Sequence, residues 1–155
     1  MGYRLIYSTR YHMNRIWAFR SMKYERYYPN HQARKVFNDI LGFRAFCDDY
    51  KQVLLLSDTN RFRIADLTSG KAENDGYRGV HVYYQKSGSH YPIEIQFNTL
   101  FDRQFNNWLH ECLYKRHYSA VIGAILRARY EHGLISNEAE FKEAFKNVLL
   151  NCERT

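Results

Sequence analysis

The sequence predicts an α+β domain built on a mixed β-sheet of about five strands flanked by helices. Three observations carry that expectation. Short strand-like runs alternate with helix-like ones through the first half of the chain. The pair GYRGVHVYYQ and YPIEIQFNT, joined by KSGSH, has the alternation and turn residues of a β-hairpin. Beyond Thr99 the chain reads as helical to its end. Helices around strands, with an antiparallel hairpin among them, give a mixed sheet.

In chain order, a strand is expected near 3–9, a helix near 13–27 and another near 31–38, separated by Pro29 in YYPNH. ILGFRAFC marks a strand near 40–47, followed by a helix near 49–56 and a strand near 61–67. The loop SGKAENDG then leads into the hairpin. AVIGAIL, residues 120 to 126, reads as a buried helix segment. The last helix is the clearest element. Asn137 with Glu140 forms a capping box, and Phe141, Phe145, Val148 and Leu149 fall on one stripe.

With 155 residues, 45% of them apolar, the chain suits a single domain, 1–155, with a genuine core. No apolar run approaches the ~20 residues that span a bilayer, and MGYRLIYSTR lacks the apolar segment of a secretory signal. No membrane partner is expected. Cys47, Cys112 and Cys152 have neither disulfide nor zinc-site spacing, which fits a reduced, cytoplasmic setting. The net charge of +7 is concentrated. Residues 1 to 35 hold eight Lys or Arg against one acid, Glu25, with aromatic rings threaded between them. Cations interleaved with flat rings suit phosphates and bases, of a nucleotide or of a nucleic acid, although a basic amphipathic helix with core aromatics has the same composition.

YPIEIQFNT places Ile93, Ile95 and Phe97 on one side of an extended chain and Glu94, Gln96 and Asn98 on the other. The polar row carries one carboxylate and no cation. Upstream, Asp39 stands at the mouth of ILGFRAFC, with Arg44 inside an apolar run, where a buried guanidinium needs an anion. Two carboxylates converging beside basic residues suit Mg²⁺ bound together with substrate phosphates. In ENDGYRGVH, Asp75-Gly76 signals a turn, and Tyr77, Arg78 and His81 follow, a ring and two anion donors. Such a ring can stack on a base.

Arg10-x-His12 with Arg20, then DILGFR, DGYRGVH, IEIQFNT and WLHECLYK, come in the order found in RelA/SpoT-type alarmone synthetases, which the chain resembles over roughly residues 5 to 115. Those families show R-x-K with a later K, D-x-x-G-x-R, N-G-Y-R-S-x-H and E-I-Q-x-R-T, then an aromatic- and His-bearing helix ending in Tyr-Lys. The resemblance implies a nucleotidyltransferase-like synthetase domain, without hydrolase or regulatory domains. Its activity would be that of a GTP pyrophosphokinase, moving the β,γ-diphosphate of ATP to the ribose 3′-hydroxyl of GDP or GTP to make (p)ppGpp. By the same resemblance Asp39 and Glu94 hold Mg²⁺, with Glu94 also helping to deprotonate the attacking hydroxyl. Arg10, His12, Arg20 and Arg44 grip ATP. Tyr77 stacks on the acceptor guanine, with Arg78, His81, Gln96, Asn98, His110 and Lys115 around the acceptor. The chain has His12 and Arg20 at family lysines and Asn98 at a family arginine, and the resemblance assigns no contact to Arg61, Arg63 or Lys71. Two other readings fit: pyrophosphorylation of the tRNA 3′ end by a toxin-like enzyme, and a non-catalytic nucleotide- or RNA-binding module. The exposed aromatic segment at the N-terminus also suits an interface between copies of the chain.

Overall fold

The computed structural model describes Asn30 and residues 41–58, 61–116 and 118–152. The strand expected near 3–9 and the helices near 13–27 and 31–38 lie outside them, as do Arg10, His12, Arg20 and Asp39. In order come β1 (Leu41–Phe46), α1 (Lys51–Leu54) with a 3-10 turn (Leu55–Asp58), β2 (Phe62–Asp66), β3 (Val80–Tyr84) and β4 (Ile93–Asn98). Then follow α2 (Leu100–Cys112), a 3-10 turn (Tyr114–Arg116), α3 (Ala120–Glu131) and α4 (Glu138–Cys152). The fold is α+β. The sheet has four strands among the described residues, where about five were expected; the fifth expected strand, near 3–9, lies outside the described residues.

The chain forms two compact units. The first takes in the described residues up to Ala65 together with Val80–Phe97; the second takes in Asp66–Gly79 and the chain from Asn98 onward.

In the first unit the strand order is β1-β4-β3-β2. The hairpin is antiparallel, with His81 opposite Gln96 and Tyr83 opposite Glu94. Because side chains alternate along a strand, this register sorts the residues by chemistry. Val80, Val82, Ile95 and Phe97 share one face and pack with Val53 of α1 and with Phe62 and Ile64 of β2. His81, Tyr83, Glu94 and Gln96 share the other. β2 ends the strand order among the described residues and carries exposed Arg63.

The second unit is helical. Thr99 caps α2, its hydroxyl oxygen accepting the Asp102 N–H at 3.1 Å. Phe105, Trp108 and Leu109 of α2 form a core with Ile122, Leu126 and Tyr130 of α3 and Phe141, Phe145 and Val148 of α4. Buried Arg127 pairs with Asp102 and with Glu131, so its charge enters the core compensated. AVIGAIL is helical but buried on one face only: Ile122 and Leu126 point inward while Val121 and Ile125 are exposed. At the start of α4, Asn137 Oδ1 accepts the Glu140 N–H at 3.0 Å. The Glu140 carboxylate reaches back one residue further than in a standard box, to the Ser136 N–H at 2.7 Å.

Candidate active site

Glu94 lies at the centre of the polar sheet face and is only 6% exposed. Tyr83 donates its hydroxyl to Oε1 at 2.7 Å, and His81 Nδ1 approaches the same oxygen at 3.0 Å. Gln96 donates its amide to Oε2 at 2.9 Å. Burial by itself would raise the carboxyl's proton affinity, but the hydrogen bonds and positive potential from His81, the Tyr83 hydroxyl and the Gln96 amide outweigh it and hold Glu94 below the usual carboxylate range. The Tyr83 hydroxyl is pushed upward, by burial first and then by Glu94, so it remains a donor.

Strands β1 and β2 add cations. Arg44 of β1 donates Nε to Gln96 Oε1 at 3.3 Å, and the Arg63 guanidinium of β2 lies 3.8 Å from the centre of the Tyr83 ring. Arg44 is exposed, not buried as its apolar neighbours in sequence suggested. It shares the polar face with Gln96, so solvent and the Gln96 amide oxygen serve it in place of a buried anion.

A carboxylate offers about four lone-pair directions. The described residues fill three on Glu94, two on Oε1 and one on Oε2. Oε2 lies near Gly42 of β1, where an added Cβ would stand 3.8 Å from it. Among the described residues, Oε2 therefore keeps one position for a metal ion or a hydroxyl. Among the described residues no group of three or more His, Cys, Asp or Glu is arranged to hold a metal. Mg²⁺ needs only one or two carboxylates besides substrate and water, so a single oxygen from Glu94 fits it.

The second unit holds the other expected site residues. Asp75 organises their loop: Oδ1 accepts the Tyr77 N–H at 3.1 Å, and Oδ2 accepts the Tyr114 hydroxyl at 2.9 Å and Lys71 Nζ at 2.5 Å. Lys71 Nζ lies 4.9 Å from the centre of the Tyr77 ring. The loop docks on α3 through two glycines. Gly76 has φ 86°, and a Cβ there would meet the Gly123 carbonyl oxygen at 2.4 Å.

Arg78 is held by its backbone. Asn98 and Asn106 both donate to its carbonyl, at 3.0 and 2.7 Å, and its guanidinium donates to Asn74 at 3.1 Å. Asn98 is 1% exposed and works from within the structure. His110 and Lys115 are exposed, with the His110 ring edge-on to Tyr114. The structure thus gathers Arg44, His81, Glu94 and Gln96 on one face of the first unit, and Tyr77, Arg78, Asn98, His110 and Lys115 in the second. Sequence reasoning missed Tyr83, Asn106 and Tyr114. The signal for Tyr83 was present: it stands two residues from His81 and so shares its face.

Neither a family model nor a curated protein sequence matches the chain. Among solved structures, small alarmone synthetase 1 from Bacillus subtilis, bound to its product pppGpp, is 20% identical, with a TM-score of 0.51 over 98% of this chain and 77% of that one. The fold is that of a small alarmone synthetase. Small alarmone synthetase 2 from the same organism is 17% identical, with a TM-score of 0.48 over 99% of this chain and 80% of that one. The alarmone-synthetase fold agrees with the order of motifs read from the sequence. No helix among the described residues is long and apolar enough to cross a membrane.

Proposed function

We propose that this protein is a pyrophosphotransferase that moves the β,γ-diphosphate of ATP to the ribose 3′-hydroxyl of GDP or GTP, giving (p)ppGpp and AMP. The observation that carries the reading is Glu94: a buried carboxylate kept ionised by three donors, with one acceptor direction on Oε2 left by the described residues. In the reaction the 3′-oxygen bonds to the β-phosphorus of ATP, the bond from that phosphorus to the α,β-bridging oxygen breaks, and the hydroxyl proton leaves toward an acceptor. Transfer of this kind depends mostly on positioning and charge neutralisation. Glu94 is a fixed anion of low proton affinity, better suited to orienting a hydroxyl and holding a cation than to storing a proton.

Asp39 and Glu94 would hold Mg²⁺, which when bound supplies charge neutralisation at the phosphates. Arg44 lies beside Glu94's partner Gln96 and offers a guanidinium to phosphate, a task given by the resemblance also to Arg10, His12 and Arg20. In the second unit Tyr77 offers a ring to the acceptor base.

The test is purified protein with Mg²⁺, ATP labelled in the γ-phosphate, and GDP, GTP or deacylated tRNA. Label on GDP or GTP is the expected result. Label on tRNA alone replaces the acceptor and favours the basic segment of residues 1 to 35 as a nucleic-acid contact. No label on any acceptor overturns the enzymatic reading.

A further inference from the structure

Tyr77 can serve as a stacking surface only if its loop is held still. Beside the glycine contact with α3 and the bonds to the Arg78 backbone, several of the contacts that hold it meet on one carboxylate. Asp75 uses Oδ1 for the Tyr77 N–H, at 3.1 Å, and Oδ2 for the Tyr114 hydroxyl, at 2.9 Å. Tyr114 belongs to the 3-10 turn just after α2, 39 residues away in sequence from Asp75. Asn74 adds a second local bond, accepting the Gly76 N–H at 3.2 Å. Beside the pair opens a cleft lined by Lys71, Leu113, Tyr114 and Tyr118.

We propose that Tyr114 is a positioning residue for the acceptor nucleotide, acting through Asp75 to fix the backbone and ring of Tyr77. This deepens the functional reading above and rests on it for the role of Tyr77. Two things on Asp75 could do the holding, and their surroundings differ. The Lys71 contact is an i, i+4 pair whose lysine side chain is 40% exposed, a geometry that contributes little. The Tyr114 bond is sheltered: the Asp75 side chain is 14% exposed, and burial followed by the charge on Asp75 keeps the phenol protonated and donating. A hydrogen bond to a charged group in such surroundings is among the stronger kinds. The backbone of Asp75 is pressed against Gly123 of α3, so the carboxylate and the backbone of one residue are both anchored to the helical unit.

The experiment is Tyr114→Phe, which removes one oxygen and leaves the ring in place, compared with Lys71→Met. Steady-state transfer is measured with ATP and acceptor varied separately, and amide hydrogen exchange is followed at Gly76–Arg78. Tyr114→Phe is expected to raise the acceptor KM by about three- to tenfold, to leave kcat and the ATP KM within about twofold, and to speed exchange at Tyr77. Lys71→Met should change each by less than about twofold. A purely structural tyrosine would lower Tm without moving the acceptor KM, and that result overturns the proposal. So does unchanged exchange at Tyr77. If the unmodified protein transfers label to no acceptor, the functional reading and the acceptor role of Tyr114 fall together. Faster exchange in Tyr114→Phe would then still show the latch itself, and unchanged exchange would dispose of that too.

Discussion

Gly123→Ala is the substitution whose outcome the structure fixes most tightly. An alanine in the middle of an ordinary helix stabilises it by about 1 kcal/mol relative to glycine. Here the added Cβ would stand 2.0 Å from the Asp75 carbonyl oxygen and 2.8 Å from its carbon. Contact at that spot is with backbone, which cannot swing aside like a side-chain end. To regain van der Waals distance the loop or the helix must move by about 1 Å or more, against close packing on all sides. Overpacking costs about 1–3 kcal/mol, and a clash with backbone falls in the upper part of that range, about 2–3, so after the helix-propensity gain of about 1 kcal/mol a net loss of about 1–2 kcal/mol remains. For a chain of this size that lowers Tm by roughly 3–6 °C. Thermal unfolding followed by circular dichroism measures it, with Gly88→Ala as control, since nothing lies within 4 Å of a Cβ at that position. A Gly123→Ala protein that melts at or above the unmodified one would refute the close approach of loop and helix and, with it, the docking of the Tyr77 loop.

Other substitutions test the remaining parts. Glu94→Gln keeps the shape but removes the fixed charge; diphosphate transfer should fall at least about 100-fold while ATP binding by calorimetry and the circular dichroism spectrum are retained. Because Glu94 titrates below its ordinary 4.5 in the folded protein, its contribution to stability is present above that pH and is lost as pH falls through the lower folded value. Urea midpoints of the metal-free protein should therefore decline more steeply from pH 5 to pH 3 than those of Glu94→Gln, and parallel curves would remove the carboxylate from that role. Asn137→Ala deletes the side chain that caps α4 and should cost about 1 kcal/mol in urea unfolding without altering transfer.

What the sequence could reveal was whatever depends on near neighbours. Alternation in YPIEIQFNT identifies Glu94 and Gln96 as sharing a face, and the hairpin signal in KSGSH supplies the strand beside it; both stand in the structure as read. The N-terminal capping signal of α4 is equally local. Partners brought together across long stretches of chain were not legible. Tyr114 meets Asp75 across 39 residues, and Asn106 meets Arg78 across 28, with no periodicity to connect them. Arg44 was misjudged for a related reason. Alternate residues of a strand lie on opposite faces, and whether a given face is covered is not written in that strand. Arg44 shares the face of Gln96 and remains in water.

The hairpin register is the point where local pattern becomes chemistry. Glu94 has its ordered, ionised state because Tyr83 stands directly opposite and His81 stands on the same face of the same strand. A slip of one residue that set Val82 opposite the carboxylate would take away the Tyr83 and His81 contacts and leave a buried charge with Gln96 alone of its three donors, a loss of several kcal/mol. The apolar face enforces the same register independently, since Val80 and Val82 are buried with Ile95 and Phe97 packed beside them, and the slip would bring His81 and Tyr83 into that layer. Each face thus guards the other. The connecting loop agrees, with the Gln85 side chain donating to the His90 carbonyl at 2.7 Å across its base. Among the described residues the three hydrogen bonds that orient this carboxylate come from β3 and β4, so Tyr83→Phe should remove one of them and raise the pH at which Glu94 protonates.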